Sequence, residues 1–416
     1  VSAARRRAHD TFRALSVRNY RLYFLAQLVS VSGTWMQMVA MGWLVLVLTH
    51  SGVDLGLVTA LQFLPMLLFG SFGGLVADRA DKRHILYATQ TAAGLLALAL
   101  GALTLAGAVR VPVLYLFALL LGVVNLFDNP ARQTFVSEMV GRDLLPNAVS
   151  LNSVLMNSAR VVGPTVAAGL LALFGSGAAQ EIRGAGFCFL VNAASYAAVL
   201  VALVAMRAAE LHPSPAVART KGQLREGFRY VWATPALRDP LVAMAVVGVF
   251  AFNFTVTLAL LARFTFHGQA SLYGLFTSAM GAGAILGGLA VAARARPSVR
   301  RVAVIGLVFG LCIGLVALAP TKTVAIIALV PMGAASIAFI ATSNATLQLT
   351  AAPDKRGRVM SLYAIAFLGS TPIGAPLVGA ISSAASPRVA LGVGAVATLA
   401  AAGLLLRSSA RARARA

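Results

Sequence analysis

Gly74-Leu75-Val76-Ala77-Asp78-Arg79-Ala80-Asp81-Lys82-Arg83-His84 is the stretch whose reading decides the fold. It separates two long apolar runs, residues 55–77 and 85–107. A loop that joins two membrane spans is short, polar and wet, and this stretch has that composition. Asp78 is placed to hold a neighbouring Arg or a helix N-terminus, while Arg79, Lys82 and Arg83 stay in water on the cytoplasmic face.

Composition supports a membrane chain. Of 416 residues, 59% are hydrophobic and 11% charged, with a mean hydropathy of +0.85. Soluble domains carry about 25% charged residues. The net charge of +22 does not point to nucleic acid, because the bases fall in short clusters between apolar runs rather than on one domain. Cys188 and Cys312 stand far apart in apolar surroundings and read as core thiols. The five histidines are scattered, so no metal site is expected. The N-terminal Arg5-Arg6-Arg7 lacks a following signal-peptide pattern, and the first apolar run is expected to remain in the membrane.

A membrane helix needs about 20 mostly apolar residues. On that criterion there are twelve spans, at 20–48, 55–77, 85–107, 113–136, 148–174, 185–206, 237–263, 272–293, 302–319, 324–349, 359–383 and 389–406. The expected organisation is an N-terminal six-helix lobe over 1–206, a cytoplasmic middle loop over 207–236 and a C-terminal six-helix lobe over 237–416. Within the middle loop, 223–232 has the pattern of a short amphipathic helix lying on the membrane surface. Charge tests the count independently. With both termini cytoplasmic, all but six of the 34 Lys and Arg fall at the cytoplasmic ends. Arg110, Arg183, Arg263, Lys322 and Arg388 lie on the other side, and Arg160 lies within a span. That bias is the positive-inside pattern.

The halves resemble one another weakly. Arg160-Val161-Val162-Gly163-Pro164 in the fifth span is matched by Pro372-Ile373-Gly374-Ala375-Pro376 in the eleventh. The basic loop after the second span is matched after the eighth by Arg294, Arg296, Arg300 and Arg301, where the acid is missing. Two-lobed transporters with such repeats hold their site near the midplane. Gly163, Pro164, Gly374 and Pro376 are candidates for close helix packing, as are the four-residue steps Gly70/Gly74 and Gly283/Gly287. A nucleotide-binding loop at Gly281-Ala282-Gly283 has no preceding strand and no following Lys-Ser/Thr.

Two charged residues stand at membrane depth, where ionisable groups mark transport routes or pair structurally. They are Asp128, in Asn125-Leu126-Phe127-Asp128-Asn129-Pro130, and Arg160. Their helices are consecutive and antiparallel, so the two are expected within reach of each other as a coupling pair or a structural ion pair. Polar and aromatic residues within apolar helices mark a candidate cavity lining: Trp35, Gln37, Asn152, Asn157, Asn253, Thr257, Asn344, Gln348 and Phe367. Each of them also suits helix-to-helix hydrogen bonding or packing.

The opening stretch resembles the signature loop of the major facilitator superfamily, G-x-L-x-D-R-x-G-R-R/K. Gly74, Leu75, Asp78, Arg79, Lys82 and Arg83 fit it, and Asp81 replaces the second glycine. Phe127-Asp128-Asn129-Pro130-Ala131-Arg132-Gln133, Leu145-Pro146-Asn147-Ala148, Arg160-Val161-Val162-Gly163-Pro164, Arg18-Asn19-Tyr20-Arg21-Leu22 and Arg356-Gly357-Arg358-Val359 are similar to the branch of enterobactin exporters and macrolide efflux proteins. The resemblance implies a two-lobed fold, export rather than uptake, and a latch in which Asp78 faces the start of the eleventh span.

The expected function is secondary active export of a small amphipathic molecule, drug- or siderophore-like, by alternating access and in exchange for protons. No cofactor is expected, and the proton gradient is the expected energy source. A lipid or lysolipid flippase on the same scaffold is the alternative; a membrane enzyme would need a metal cluster or nucleophile–base set that is missing, and a sensor would bind without flux. The expected partners are the bilayer and a small-molecule substrate, with the protein a monomer. The Arg-rich, Lys-poor composition suits a bacterial cytoplasmic membrane.

Overall fold

The computed structural model describes residues 12–175, 177–212, 223–293, 297–353 and 355–414. Arg5 to Arg7, residues 213–222 of the middle loop, and Arg294 and Arg296 lie outside them. A single 3-10 turn, Arg13–Ser16, precedes α1 (Arg18–Thr49), α2 (Gly52–Arg79) and α3 (Lys82–Leu105). A continuous helical stretch over Val111–Leu173 turns at Gly141, whose φ of 67° suits a residue without a Cβ. That turn divides it into α4 (Val111–Gly141) and α5 (Asp143–Leu173). Then follow α6 (Ala178–Ala205), α7 (Gln223–Ala233), α8 (Pro235–Phe250), α9 (Phe254–Leu260), α10 (Ala270–Ala293), α11 (Val299–Ala317), α12 (Lys322–Thr350), α13 (Arg356–Leu368), α14 (Thr371–Ala384) and α15 (Pro387–Ala414).

Among the described residues, twelve helical segments are long and apolar enough to cross a membrane. Residues 235–265 and 356–384 form one such segment each, built from α8 with α9 and from α13 with α14. The helices run several residues past the apolar runs. Backbone hydrogen bonding is indifferent to where hydrocarbon ends, so charged residues extend the final turns. The expected loop around Asp78 is therefore corrected. Asp78 and Arg79 belong to the last turn of α2, Lys82 opens α3, and only Ala80 and Asp81 lie between. Asp81 is the N-cap of α3, its carboxylate accepting from the backbone N–H groups of Arg83 (2.8 Å) and His84 (3.2 Å).

Contacts divide the chain into two compact units, Val1–Leu44 with Leu68–Ala218, and Val45–Leu67 with Arg219–Ala416. Residues 45–67 thus group with the second half of the chain. The reason is local: Gly52 and Gly56 in α2 bring their backbone onto Gly379 and Ala375 of α14, and the Gly52 N–H donates to Ser383 Oγ at 3.0 Å.

In the first unit α3 packs along α6, with Gly101 against Leu190 and Gly186 against Leu105. At the end carrying the basic residues, the N-terminal segment is tied down by polar contacts. Arg18 donates to the Ala205 carbonyl (2.9 Å), Asn19 exchanges hydrogen bonds with the Arg207 backbone (2.9 and 3.0 Å), and Tyr20 donates to the Ala148 carbonyl (2.9 Å). The Ala14 N–H donates to Asn147 Oδ1 at 2.9 Å. Arg83 joins this set, donating to the Leu203 carbonyl (2.6 Å) and so satisfying the open carbonyl end of α6.

In the second unit α10 and α12 approach backbone to backbone, Gly283 on Val330, Gly287 on Ala334 and Gly333 on Met280. Helix α7 docks on the start of the eleventh span: the Ala352 N–H donates to Tyr230 Oη (3.2 Å), Lys355 Nζ lies 4.7 Å over the Tyr230 ring, and Glu226 pairs with Arg358. Its Phe228 and Trp232 rings stack with each other and are exposed, the amphipathic pattern expected for a surface helix.

Candidate functional site

Asp128 sits on α4 at 5% exposure. Its Oδ1 accepts from Thr89 Oγ1 (2.9 Å) and Gln90 Nε2 (2.7 Å), both on α3, and its Oδ2 lies 3.6 Å from Arg132 Nε. Arg132 also donates to Asn129 Oδ1 at 2.8 Å. The expected partner was Arg160, and the structure corrects that. Asp128 lies thirteen residues before the Gly141 turn and Arg160 nineteen after it. At a rise of 1.5 Å per residue those depths are about 20 and about 28 Å, so the two groups are out of register. Arg132, one turn along the same helix, needs no such match.

Arg160 is instead stacked on Trp35, its guanidinium carbon 5.1 Å from the ring centroid. The pair is positioned by the seam between α1 and α5. Val31, Leu155 and Ala159 form its apolar contact, and Gly163 brings α5 against the Ser32 carbonyl and the Met36 backbone nitrogen. Pro164 follows at a buried position. A Cβ at Gly163 would overlap those backbone atoms, so the close approach depends on the missing side chain.

Lys82 does not stay in water. It is 7% exposed, and its Nζ lies 2.6 Å from Glu138 Oε1 on α4, itself 7% exposed. This pair joins residues 56 apart and went unforeseen. A basic residue beside a loop reads as solvated, and the apolar run of the fourth span stops two residues short of Glu138. Asp78 is half-buried and Arg79 exposed, with Gly74 half-buried one turn earlier.

The candidate lining residues separate into groups. Gln37 is buried and accepts from Asn192 Nδ2 at 2.6 Å, so it joins α1 to α6. Asn157, half-buried on α5, donates to the Ser153 carbonyl (2.8 Å), and Asn152 is half-buried nearby. In the second unit Asn253 and Thr257 mark a break in the seventh span, where the helix stops at Phe250 and restarts at Phe254. Asn253 Nδ2 donates to the Val249 carbonyl (2.7 Å) and Thr257 Oγ1 to the Asn253 carbonyl (3.2 Å), covering backbone groups the break leaves open. The eleventh span also breaks, at Gly369-Ser370, and the two breaks adjoin: Gly248 faces Ser370, and Gly374 meets the Val249 carbonyl and Asn253 Nδ2. Pro376 lies one turn further, against Gly56. Phe252 contacts Phe254, Phe309, Phe339 and Phe367 around these breaks, with centroids 5.4–6.4 Å apart. Asn344 and Gln348 pair with each other on α12, Gln348 Nε2 donating at 2.6 Å.

Chemically, the first unit offers a buried carboxylate held by two neutral donors and one arginine, and a partly exposed guanidinium on an indole. The second offers an aromatic cluster at two interrupted helices.

The sequence profile of the family described as transmembrane secretion effector matches residues 9–415. The chain is 25% identical over 372 residues to the multidrug efflux pump Tap of Mycolicibacterium fortuitum, covering 88% of this chain and 89% of that protein. It is 24% identical over 371 residues to the enterobactin exporter EntS of Shigella flexneri, covering 88% and 86%. It is 24% identical over 271 residues to the staphyloferrin A transporter of Staphylococcus aureus, covering 64% of this chain and 65% of that protein. Among solved structures, a bacterial homologue of the human lysosomal transporter Spinster superposes with a TM-score of 0.70 at 18% identity, covering 94% and 96%. The nucleoside transporter NupG superposes with a TM-score of 0.72 at 12% identity, covering 94% and 99%. At those identities the structural likeness shows the fold alone.

Proposed function

We propose, from the premise that the chain belongs to the transmembrane secretion effector family of the major facilitator superfamily, that it exports small amphipathic molecules in exchange for protons. Members of the superfamily and the relatives above are transporters rather than enzymes, and relatives of the efflux type support the outward direction. The observation that carries proton coupling is Asp128. A carboxylate at 5% exposure within an apolar helix is costly unless its charge is compensated. Its ion pair with Arg132 is long at 3.6 Å, and its other partners, Thr89 and Gln90, are neutral. In this reading the proton exchanges at Asp128, the point where Thr89 and Gln90 of α3 and Arg132 of α4 meet, so the exchange acts on the packing of α3 on α4. Alternating access then links that change to the substrate side. Asp78, in the last turn of α2, biases the opening of the cytoplasmic side. The protein works as a monomer in a bacterial cytoplasmic membrane with both termini inside, and its cargo is drug- or siderophore-like.

The test is purified protein in liposomes with an imposed pH gradient. Hydrophobic drugs and siderophores should be moved against their own gradients only while the proton gradient lasts. Movement that ignores the gradient removes proton exchange from the account; movement of acyl-chain lipids alone replaces it with lipid flipping.

A further inference from the structure

Among the described residues, Arg160 is a guanidinium without a counter-charge. Its Nε is buried with no acceptor, and among the described residues no carboxylate or carbonyl pairs with it. The acids of the same unit with resolved ion pairs are engaged elsewhere: Asp128 with Arg132, Glu138 with Lys82, Glu210 with Arg207, and Asp81 with His84. Arginine does not give up its proton in a protein, so neutralisation is not a way out. The indole of Trp35 beneath it offers only its ring face. The group is also reachable. Arg160 and Trp35 are partly exposed, and α5 presents Ser150, Ser153, Asn157 and Thr165 along an adjoining face. Those four polar groups are turned back onto their own helix, each donating to a carbonyl one turn earlier. A charged group is costly against hydrocarbon, so the exposed side of Arg160 suits water or a substrate rather than lipid.

We propose that Arg160 and Trp35 form a binding subsite for a substrate carrying one carboxylate beside an aromatic or apolar body. The guanidinium takes the carboxylate through two N–H groups in its fork, and the part of the indole that the guanidinium leaves open borders the apolar body. The seam of Val31, Leu155, Ala159 and Gly163 fixes the pair, so little ordering is left for binding. With one guanidinium in the subsite, it suits the single charge of a monoanion. The proposal names a substrate class for the exporter proposed above and rests on that reading for transport, while its binding test stands by itself.

The probes are dansyl-leucine and dansyl-leucinamide, which share one body and differ in the carboxylate. Titrated against purified protein in detergent by dansyl fluorescence, the wild type should bind the acid at least about tenfold more tightly than the amide, a difference of about 1.4 kcal/mol. Arg160→Gln should weaken the acid to the level of the amide and leave the amide unchanged. Arg160→Lys should keep part of the preference, because an ammonium attracts the carboxylate without the fork. Trp35→Phe should weaken both probes together. No preference in the wild type, including no binding of either probe, overturns the subsite. So does equal loss of acid and amide in both Arg160 variants. In everted vesicles, acid-selective binding without movement of either probe leaves the subsite standing and removes export. Movement of both probes without acid preference does the reverse.

Discussion

Removing the Lys82 charge should destabilise the first unit far more than its place beside a loop suggests. Both partners of the Lys82–Glu138 pair are about nine-tenths buried and their charged atoms are 2.6 Å apart. At an effective dielectric of about 20 the attraction is about 6 kcal/mol. Desolvating the two ions opposes it by several kcal/mol each, so the pair nets little against an apolar pair of similar volume. In Lys82→Met the attraction goes but the buried Glu138 carboxylate remains, and the expected loss is about 3–5 kcal/mol. The double variant Lys82→Met/Glu138→Leu removes both charges and should recover most of that loss, giving a coupling energy well above additive. The assay is unfolding of purified protein by SDS in mixed micelles, followed by helical circular dichroism across the four members of the cycle. A single variant as stable as wild type, or a double variant as poor as the sum of the singles, refutes the reasoning.

Asp81→Ala removes the cap of α3 and should cost about 1 kcal/mol in the same assay, whereas Asp81→Gly, which restores the signature glycine, should cost only about a few tenths. Partial burial alone would raise the Asp81 carboxyl, but the His84 and Arg83 N–H donors, with the His84 side chain, outweigh it and hold the group below its ordinary value of 3.8. The gap between wild type and Asp81→Ala should accordingly be full at neutral pH and close as the pH falls through the lowered value. Gly163→Ala should lose about 1–3 kcal/mol, because the new Cβ meets the backbone of Ser32 and Met36. Gly169→Ala on the same helix, where nothing lies within 4 Å, should be tolerated, and thermal midpoints of the two variants decide it. Asp78→Asn should slow transport in vesicles without changing which compounds are carried; an altered compound profile would place Asp78 at the substrate instead.

The twelve spans were legible because hydrocarbon demands about 20 apolar residues and the bases gather at one set of ends. Helix ends were not, since Lys82 and Glu138 extend their helices by pairing across 56 residues, and composition carries no signal of that pairing. Asp81 was legible in principle, as an acid directly before a helix, though reading it against the signature glycine hid its capping role. Arg132 stood one turn from Asp128 and was the local choice, whereas the Arg160 alternative ignored depth along the hairpin. The break in the eleventh span has a sequence cause in Gly369 and Pro372. The break at Asn253 has neither glycine nor proline, and only the packing of α14 against Val249 and Asn253 reveals it. Gly163 and Gly374, paired by the weak internal repeat, do the same work in separate units, bringing the fifth span onto the first and the eleventh onto the seventh.

The most direct test of proton-coupled export uses everted vesicles carrying wild type or Asp128→Asn, with an acid interior followed by a fluorescent pH probe while amphipathic compounds are added. The account predicts that a transported compound discharges the gradient with wild type and fails to do so with Asp128→Asn at equal protein levels. Equal discharge by both proteins contradicts it, leaving Asp128 as a structural carboxylate held by Thr89, Gln90 and Arg132.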